Sequence, residues 1–213
     1  NKDKLYLRDK ESIKTLTKLG IKKKNIHFIG RKLKIKHNKL YLNAVKIKTF
    51  FDKYISNIIK PDVIYTHSWE GGHEDHDTCN LIARNIRSKY KIKNCYQFSL
   101  YNSFNTSVIF FKVFNPIEKK KGKMVQASVL DRINFIRLLF NYTSQIKTWI
   151  GLYPFIIFHY LFKGFNFIEI LNSNKIIQRP HMGNLLYERR GFCKFETLKK
   201  RTSFLLNDFK LRK

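Results

Sequence analysis

Apolar positions along the chain recur with helical spacing in some stretches and gather into short runs in others. Ile13, Leu16 and Leu19 share one face within residues 9–19, and Gly20 stands at the stop position. The pattern predicts a short helix with Asp9 or Ser12 at its cap. Asn25-Ile26-His27-Phe28-Ile29-Gly30 is an apolar run closed by glycine and reads as a strand. A second helix is expected from about Leu42 to Ile59, where Val45, Phe50, Tyr54, Ile55, Ile58 and Ile59 recur at helical spacing. Pro61 stops it. Asp62-Val63-Ile64-Tyr65-Thr66 then has the β-branched character of a buried parallel strand. A polar loop with two glycines, Ser68 to Asp77, leads to a third helix from about Thr78 to Tyr90, and strands are expected at Cys95–Tyr101 and Val108–Phe114. This alternation of helix and strand is the signature of an α/β layered sheet.

Pro116-Ile117-Glu118 and the following Lys119-Lys120-Lys121-Gly122-Lys123 read as a linker, after which the character changes. A helix from about Ser128 carries Ile133, Ile136, Leu139, Phe140, Ile146 and Trp149, and Ile150 to Phe162 is almost uninterruptedly apolar. That stretch is too short for a bilayer span, and Pro154, His159 and Lys163 argue further against one. It reads as a buried or interfacial segment: either core between helices, or an aromatic surface at a membrane face or against a lipid-linked substrate. The tail, Lys199 to Lys213, is amphipathic and basic and reads as a solvated surface helix. The expected organisation is an α/β core over residues 1–127 and a mainly helical region, 128–213, packing on it.

Charge changes the picture in one respect. The 213 residues hold 43 Lys and Arg against 15 Asp and Glu, a net charge of +28 with a pI near 10.1. That excess invites a polyanionic partner. The lysines are spread along the chain beside abundant Ile, Asn, Phe and Tyr, the composition that an A/T-rich coding bias also produces. A hydrophobic share of 43% excludes wholesale disorder. No RNA- or DNA-binding motif is present and the aromatics lie in apolar runs, so no nucleic acid partner is expected. Cys79, Cys95 and Cys193 form neither a disulfide framework nor a close-spaced zinc motif, which points to a reducing, cytoplasmic compartment, with peripheral membrane association left open. No apolar signal core is visible, and a first residue other than Met leads to the expectation that an upstream segment is missing.

The chemistry gathers in Pro61-Asp62-Val63-Ile64-Tyr65-Thr66-His67-Ser68-Trp69-Glu70-Gly71-Gly72-His73-Glu74-Asp75-His76-Asp77. Three of the seven histidines and four carboxylates fall between His67 and Asp77. The cluster lies past the carboxyl end of an expected parallel strand, where open α/β sheets place ligands. Gly71 and Gly72 permit a tight turn that directs His73 and His76 into one cleft. Imidazoles with neighbouring carboxylates suit Zn2+ and proton handling, since a carboxylate fixes the ring's tautomer. The plainer alternative is a polar surface loop whose histidines meet water. Of the others, His27 reads as a core histidine, His67 as a group orienting a ligand, and His37, His159 and His181 as structural or exposed.

Gly-Gly-His-Glu-Asp-His after Pro-Asp-Val-Ile-Tyr-Thr-His resembles the second signature of the PIG-L/LmbE-like family of metal-dependent N-acetylglucosaminyl deacetylases, with Glu74 where the family commonly has Pro. Arg8-x-x-Glu11, Leu19-Gly20-Ile21 and Ile26–Gly30 are similar to family elements in the same order. Tyr142-x-Ser144-Gln145 resembles an element on a helix after the sheet, and Arg179-Pro180 with Tyr187-Glu188-Arg189-Arg190 is similar to the C-terminal part of bacterial members. The resemblance implies a Rossmann-like three-layer sandwich with a mostly parallel sheet, its first βαβ portion missing here, and a helical C-terminal extension. It implies zinc, or another divalent metal, held by His76; an oxyanion-stabilising or amide-polarising His73; an orienting Asp75; and a substrate contact from Arg8. The implied reaction is hydrolysis of the N-acetyl group of a GlcNAc-type glycoside or glycolipid precursor, with a lipid- or phosphate-linked amino sugar as partner. The family's opening His-Pro-Asp-Asp element, source of two further ligands and the general base, is absent from residues 1–213, so the activity of this chain is left open. Arg31-Lys32-Leu33-Lys34, where members often carry a sugar-contacting Asp, would favour an anionic glycoside. The alternative function is a non-catalytic basic module for an anionic membrane or phosphorylated glycan.

Overall fold

The computed structural model describes residues 2–57, 60–107, 110–118, 123–125, 127–146, 150–162, 165–170 and 178–207. Their elements make a mixed α/β protein. In chain order they begin α1 (Lys2–Lys18), α2 (Ile29–Lys32), α3 (Ala44–Asn57), β1 (Val63–His67), α4 (Glu74–Tyr90), β2 (Asn94–Phe98), β3 (Tyr101–Asn102) and β4 (Lys112–Val113). There follow β5 (Lys123–Val125), α5 (Val129–Leu139), α6 (Tyr153–Phe162), β6 (Phe165–Glu169), α7 (Leu186–Arg189), α8 (Phe195–Thr202) and α9 (Phe204–Asn207). Short 3-10 turns stand at Lys23–Asn25, Tyr41–Asn43 and Thr143–Gln145. The chain divides into two compact units, residues 1–32 with 124–165 and residues 33–123 with 166–213.

The larger unit is built around α4. Glu74, Asp75 and Asp77 place acids in its first turn, where they complement the positive end of the helix dipole. His73 caps it by accepting the Asp75 backbone N–H at 3.1 Å, and Lys91, in the left-handed conformation at φ 52°, ends it. The inward face of α4, Leu81, Ile82 and Ile86, packs among Tyr41, Ile47, Ile55, Leu185, Tyr187, Leu198 and Leu205. Each fully buried Leu or Ile contributes about 1.5–3 kcal/mol. α4 connects β1 to β2, which pair in parallel from Val63 opposite Asn94 to His67 opposite Phe98. β6 lies antiparallel to β2, with Tyr96 opposite Glu169 and Gln97 opposite Ile168. β3 and β4 form a separate antiparallel pair. The described strands thus make a small mixed sheet, order β1-β2-β6-β5, in which β1 and β2 run parallel and β2 and β6 antiparallel.

In the smaller unit, Glu11 on α1 is buried and accepts hydrogen bonds from Thr143 Oγ1 (2.9 Å), Ser144 N (2.8 Å) and Ser144 Oγ (2.6 Å). Burial pushes its carboxyl up, but the Ser144 and Thr143 bonds outweigh that and hold it below the usual range. Two of the sequence elements noted above, Arg8-x-x-Glu11 and Tyr142-x-Ser144-Gln145, therefore meet. The second lies on a 3-10 turn. Ser128 caps α5, its Oγ accepting from Asp131 N at 3.1 Å.

Several expectations are corrected. The Ile26–Ile29 run is no strand: it leaves a 3-10 turn and enters α2, and His27 is exposed instead of lying in the core. A run that short cannot distinguish a strand from an irregular segment by periodicity. α1 begins seven residues before its expected start at residue 9, and α4 begins at Glu74 instead of Thr78. α3 buries Ala44, Ile47 and Ile55 and leaves Val45 exposed, a face turned from the expected one. β1 is parallel as expected but only half covered, with Val63 and Tyr65 exposed. The tail is not simply solvated: Thr202 and Leu205 are buried, Leu205 in the main core. Ile58, Ile59, Val108, Ile109, Lys119–Gly122, Trp149 and residues 208–213, parts of expected elements, lie outside the described residues. No helix among the described residues is long and apolar enough to cross a membrane.

Gly72 is the glycine this fold most requires, because a Cβ there would overlap the carbonyl oxygen of Tyr101. Gly72→Ala is expected to cost more than about 2 kcal/mol by urea denaturation, since backbone must move. Gly30→Ala, in α2 with open space around it, is expected to be neutral or stabilising by up to about 1 kcal/mol.

Candidate active site

β1 delivers His67 at its carboxyl end, and Ser68 N still reaches Phe98 O at 2.9 Å, prolonging the ladder by one bond. The loop that follows has six residues before α4 begins and must reverse within them. Two buried carboxylates hold it. Asp77, one turn into α4, accepts Glu70 N and Gly71 N at 3.2 Å. The Glu70 side chain faces the other way and accepts Ser99 Oγ (2.6 Å), Leu100 N (2.8 Å), Tyr101 N (3.1 Å) and Asn102 Nδ2 (3.1 Å). Gly71 turns at φ 71°, and its carbonyl accepts Leu186 N at 2.8 Å. Burial pushes Glu70 up to about 7 against the pull of its four donors, and lifts Asp77 well above the carboxylate range.

This loop brings imidazoles together. The His67 and His76 rings stack at 4.0 Å with 4° between planes, and His73 lies 4.8 Å from His76. His37, from the loop before α3, stands edge-on 5.7 Å from His73, and Tyr101 is 5.6 Å from His76. Burial lowers all three clustered histidines: His67 to about 4, His76 to about 2, and His73 below its ordinary value despite Asp75. They are therefore neutral at physiological pH, the form with a lone pair for a metal or a single N–H to donate. Because His73 Nδ1 accepts the Asp75 N–H, its proton is assigned to Nε2, which makes it a donor on that side. Burial also pushes the Tyr101 phenol up to about 12, keeping it protonated. Arg190 lies over the Tyr101 and Phe111 rings at 5.9 and 5.8 Å, close enough for its charge to act on His73.

The structure thus places His73 and His76 side by side. Asp75 spends its carboxylate on backbone, accepting Asn38 N and Leu40 N at 2.9 Å, and so anchors the loop that carries His37. Arg8 lies in the smaller unit, half-buried, its charge acting on Glu11 and its Nε without a hydrogen-bond partner among the described residues. Sequence reasoning gave Glu70 and Asp77 no specific task, although acids on both sides of Gly71-Gly72 were visible. It also missed the approach of His37 to His73, for which no local signal exists, since the two are 36 positions apart.

Residues 2–87 match the PIG-L family model, described as GlcNAc-PI de-N-acetylase. Over these residues the chain is similar to that family. The match covers less than half of the chain and ends within α4, so it includes the whole loop from His67 to Asp77. No curated protein and no solved structure matched. PIG-L proteins are deacetylases acting on GlcNAc-type amino sugars and are typically metal-dependent. The residues here fit a cation. His73, Glu74 and Asp75 offer donor atoms within 4.8 Å of one another. Glu74 is fully buried, 3.4 Å from His73 Nδ1, with neither carboxylate oxygen hydrogen-bonded among the described residues. Burial pushes it up to about 7, a strain that a nearby cation relieves.

A pH measurement tests the buried, neutral state of the imidazoles. His67 has a lower pKa folded than unfolded, so its contribution is intact above about 6.5 and is lost as pH falls toward 4. In chelator, His67→Phe should therefore lose less stability than the unmodified chain between pH 7 and pH 5, by on the order of 1–2 kcal/mol. Parallel urea midpoints for both proteins would refute a buried neutral His67.

Proposed function

We propose that the chain hydrolyses the N-acetyl group of an amino sugar, a GlcNAc-type glycoside or glycolipid precursor, in a zinc-dependent reaction. The observation that carries this reading is the stack of neutral imidazoles on the His73-Glu74-Asp75-His76 turn, inside the segment that matches the PIG-L family. In it, His76 offers its lone pair to the metal, as the family resemblance assigns it, while the His73-Glu74-Asp75 group stands beside it on the same turn. Zinc, once bound, supplies a Lewis acid and a water acidified to a pKa of about 7. His73 donates its Nε2–H to the oxygen on which charge develops, its ring fixed by the bond from Asp75 N–H. Asp75 acts by position, tying the His37 loop to α4. Tyr101, held protonated, offers a second donor beside His76. Arg8 is assigned the substrate contact on the family pattern alone. Catalytic zinc takes about three protein ligands, of which His76 is the one that the family pattern assigns within residues 1–213.

The test measures acetate release from N-acetylglucosaminyl substrates together with zinc binding by calorimetry, on the gene product with any upstream coding sequence restored. His76→Ala is expected to abolish tight zinc binding and activity together. His73→Ala should lower kcat about 10^2- to 10^3-fold, the usual effect of losing one oxyanion donor, while zinc affinity stays within a few-fold. Acetate release indifferent to chelation and to His76→Ala would overturn the reading.

A further inference from the structure

The smaller unit carries an inverted helix. No charged residue occurs in Tyr153–Phe162, and Ile156 faces inward, 1% exposed. On the opposite side Phe155, Phe158 and Phe162 are 58%, 54% and 69% exposed at positions i, i+3 and i+7, with Leu161 beside them. A helix facing water normally places polar residues on that stripe. Here both sides are apolar, so packing against α5 explains only the inward one. Arg132 fastens the two helices, donating from Nε to Ala127 O at 2.9 Å and from Nη1 to Leu161 O at 3.1 Å, and so holds the stripe outward. Most of the exposed large apolar side chains among the described residues belong to this unit, although it holds the minority of the chain.

Charge indicates the occupant. The unit carries 15 Lys and Arg against 4 Asp and Glu. In the sequence Lys147 and Lys163 bracket the apolar helix, and Arg137 is exposed on α5. Two copies meeting through the stripe would bring two strongly positive bodies together, which Coulomb repulsion opposes. An anionic phospholipid surface accepts both features, aromatic side chains entering the headgroup boundary while basic groups stay at the phosphates. We infer that the outward stripe of α6 docks the protein in the plane of an anionic bilayer, as a peripheral contact and not a span. The inference goes beyond the deacetylase reading and does not depend on it.

The experiment is co-sedimentation of the full chain with vesicles of phosphatidylcholine alone, or with about 30 mol % phosphatidylserine. The chain is expected to pellet with the anionic vesicles and to release as salt rises. Phe155→Ser/Phe158→Ser/Phe162→Ser should weaken binding at least about tenfold at unchanged far-ultraviolet circular dichroism. His76→Ala should bind like the unmodified chain, which separates failure here from failure of the enzymatic proposal. Should the triple variant misfold, Phe158→Trp reports directly: brominated lipid chains quench its added fluorescence if the stripe enters the bilayer. The inference is overturned if the chain stays in the supernatant, or if the folded triple variant binds as well as the original. An added tryptophan that brominated lipid leaves unquenched overturns it too, as does a dimer that the triple variant dissolves while vesicles go unbound.

Discussion

The Gly-Gly turn between β1 and α4 exists because two carboxylates hold it from opposite sides. Asp77 binds the turn's own N–H groups back to the first turn of the helix, while Glu70 reaches across to the strand end at Ser99–Asn102. Remove either, and backbone donors are left buried without acceptors, at roughly 1–3 kcal/mol each. The two are linked through one residue, since the N–H of Glu70 serves Asp77 and its side chain serves β3. The close approach of Gly72 to the Tyr101 carbonyl follows from that clamp, and so does the placing of Tyr101 beside His76. Leu186 N on the Gly71 carbonyl adds a third tie, through which α7 and its Arg179–Glu188 pair belong to the same assembly.

Holding the turn closed is also what dries the imidazoles. His67 and His76 stack face to face at 4.0 Å, a geometry two charged rings would resist. Burial is the larger cause of their low pKa values, and mutual repulsion with His73 is the smaller. Unpaired buried groups are normally a defect. Here Glu74, whose oxygens find no donor among the described residues, stands next to His73 where a cation would satisfy it. A buried carboxylate of that kind, grouped with His73 and Asp75, could bind a metal ion.

What could be read from the sequence was what local pattern decides. β1, β2 and α4 were recoverable because a β-branched run, a proline stop and a helical apolar face each act within a few residues. The His-Glu-Asp-His element was visible for the same reason, as were the acids flanking the glycines. Nonlocal pairing was not. Phe165–Glu169 joins β2 antiparallel through contacts some seventy positions away, and strand formation there depends on the partner more than on the segment's own propensity. Ile26–Phe28 has strand-like composition but runs irregularly between a 3-10 turn and α2, with no partner strand among the described residues. The tail reads as basic and amphipathic, yet Leu205 finds α4 and the main core, which the sequence pattern alone does not reveal.

The charge excess and the site chemistry are physically separate. With 43 basic residues, one would expect the histidines to be neutral because positive charge surrounds them. The causes say otherwise: burial comes first for His67, His73 and His76, with other histidines next for His67 and His76, and a single arginine, Arg190, entering last for His73. Surface lysines act through water, where charge is screened over about 8 Å at physiological salt. The excess is therefore felt mainly by whatever approaches the surface, while Glu70, Glu74 and Asp77 are raised first of all by burial, with Lys39 and Arg190 only pulling Glu74 partly back. Any account of this chain as merely a basic binder leaves that interior unexplained, because a salt-dependent surface has no use for two buried carboxylates that hold the turn bearing three clustered imidazoles.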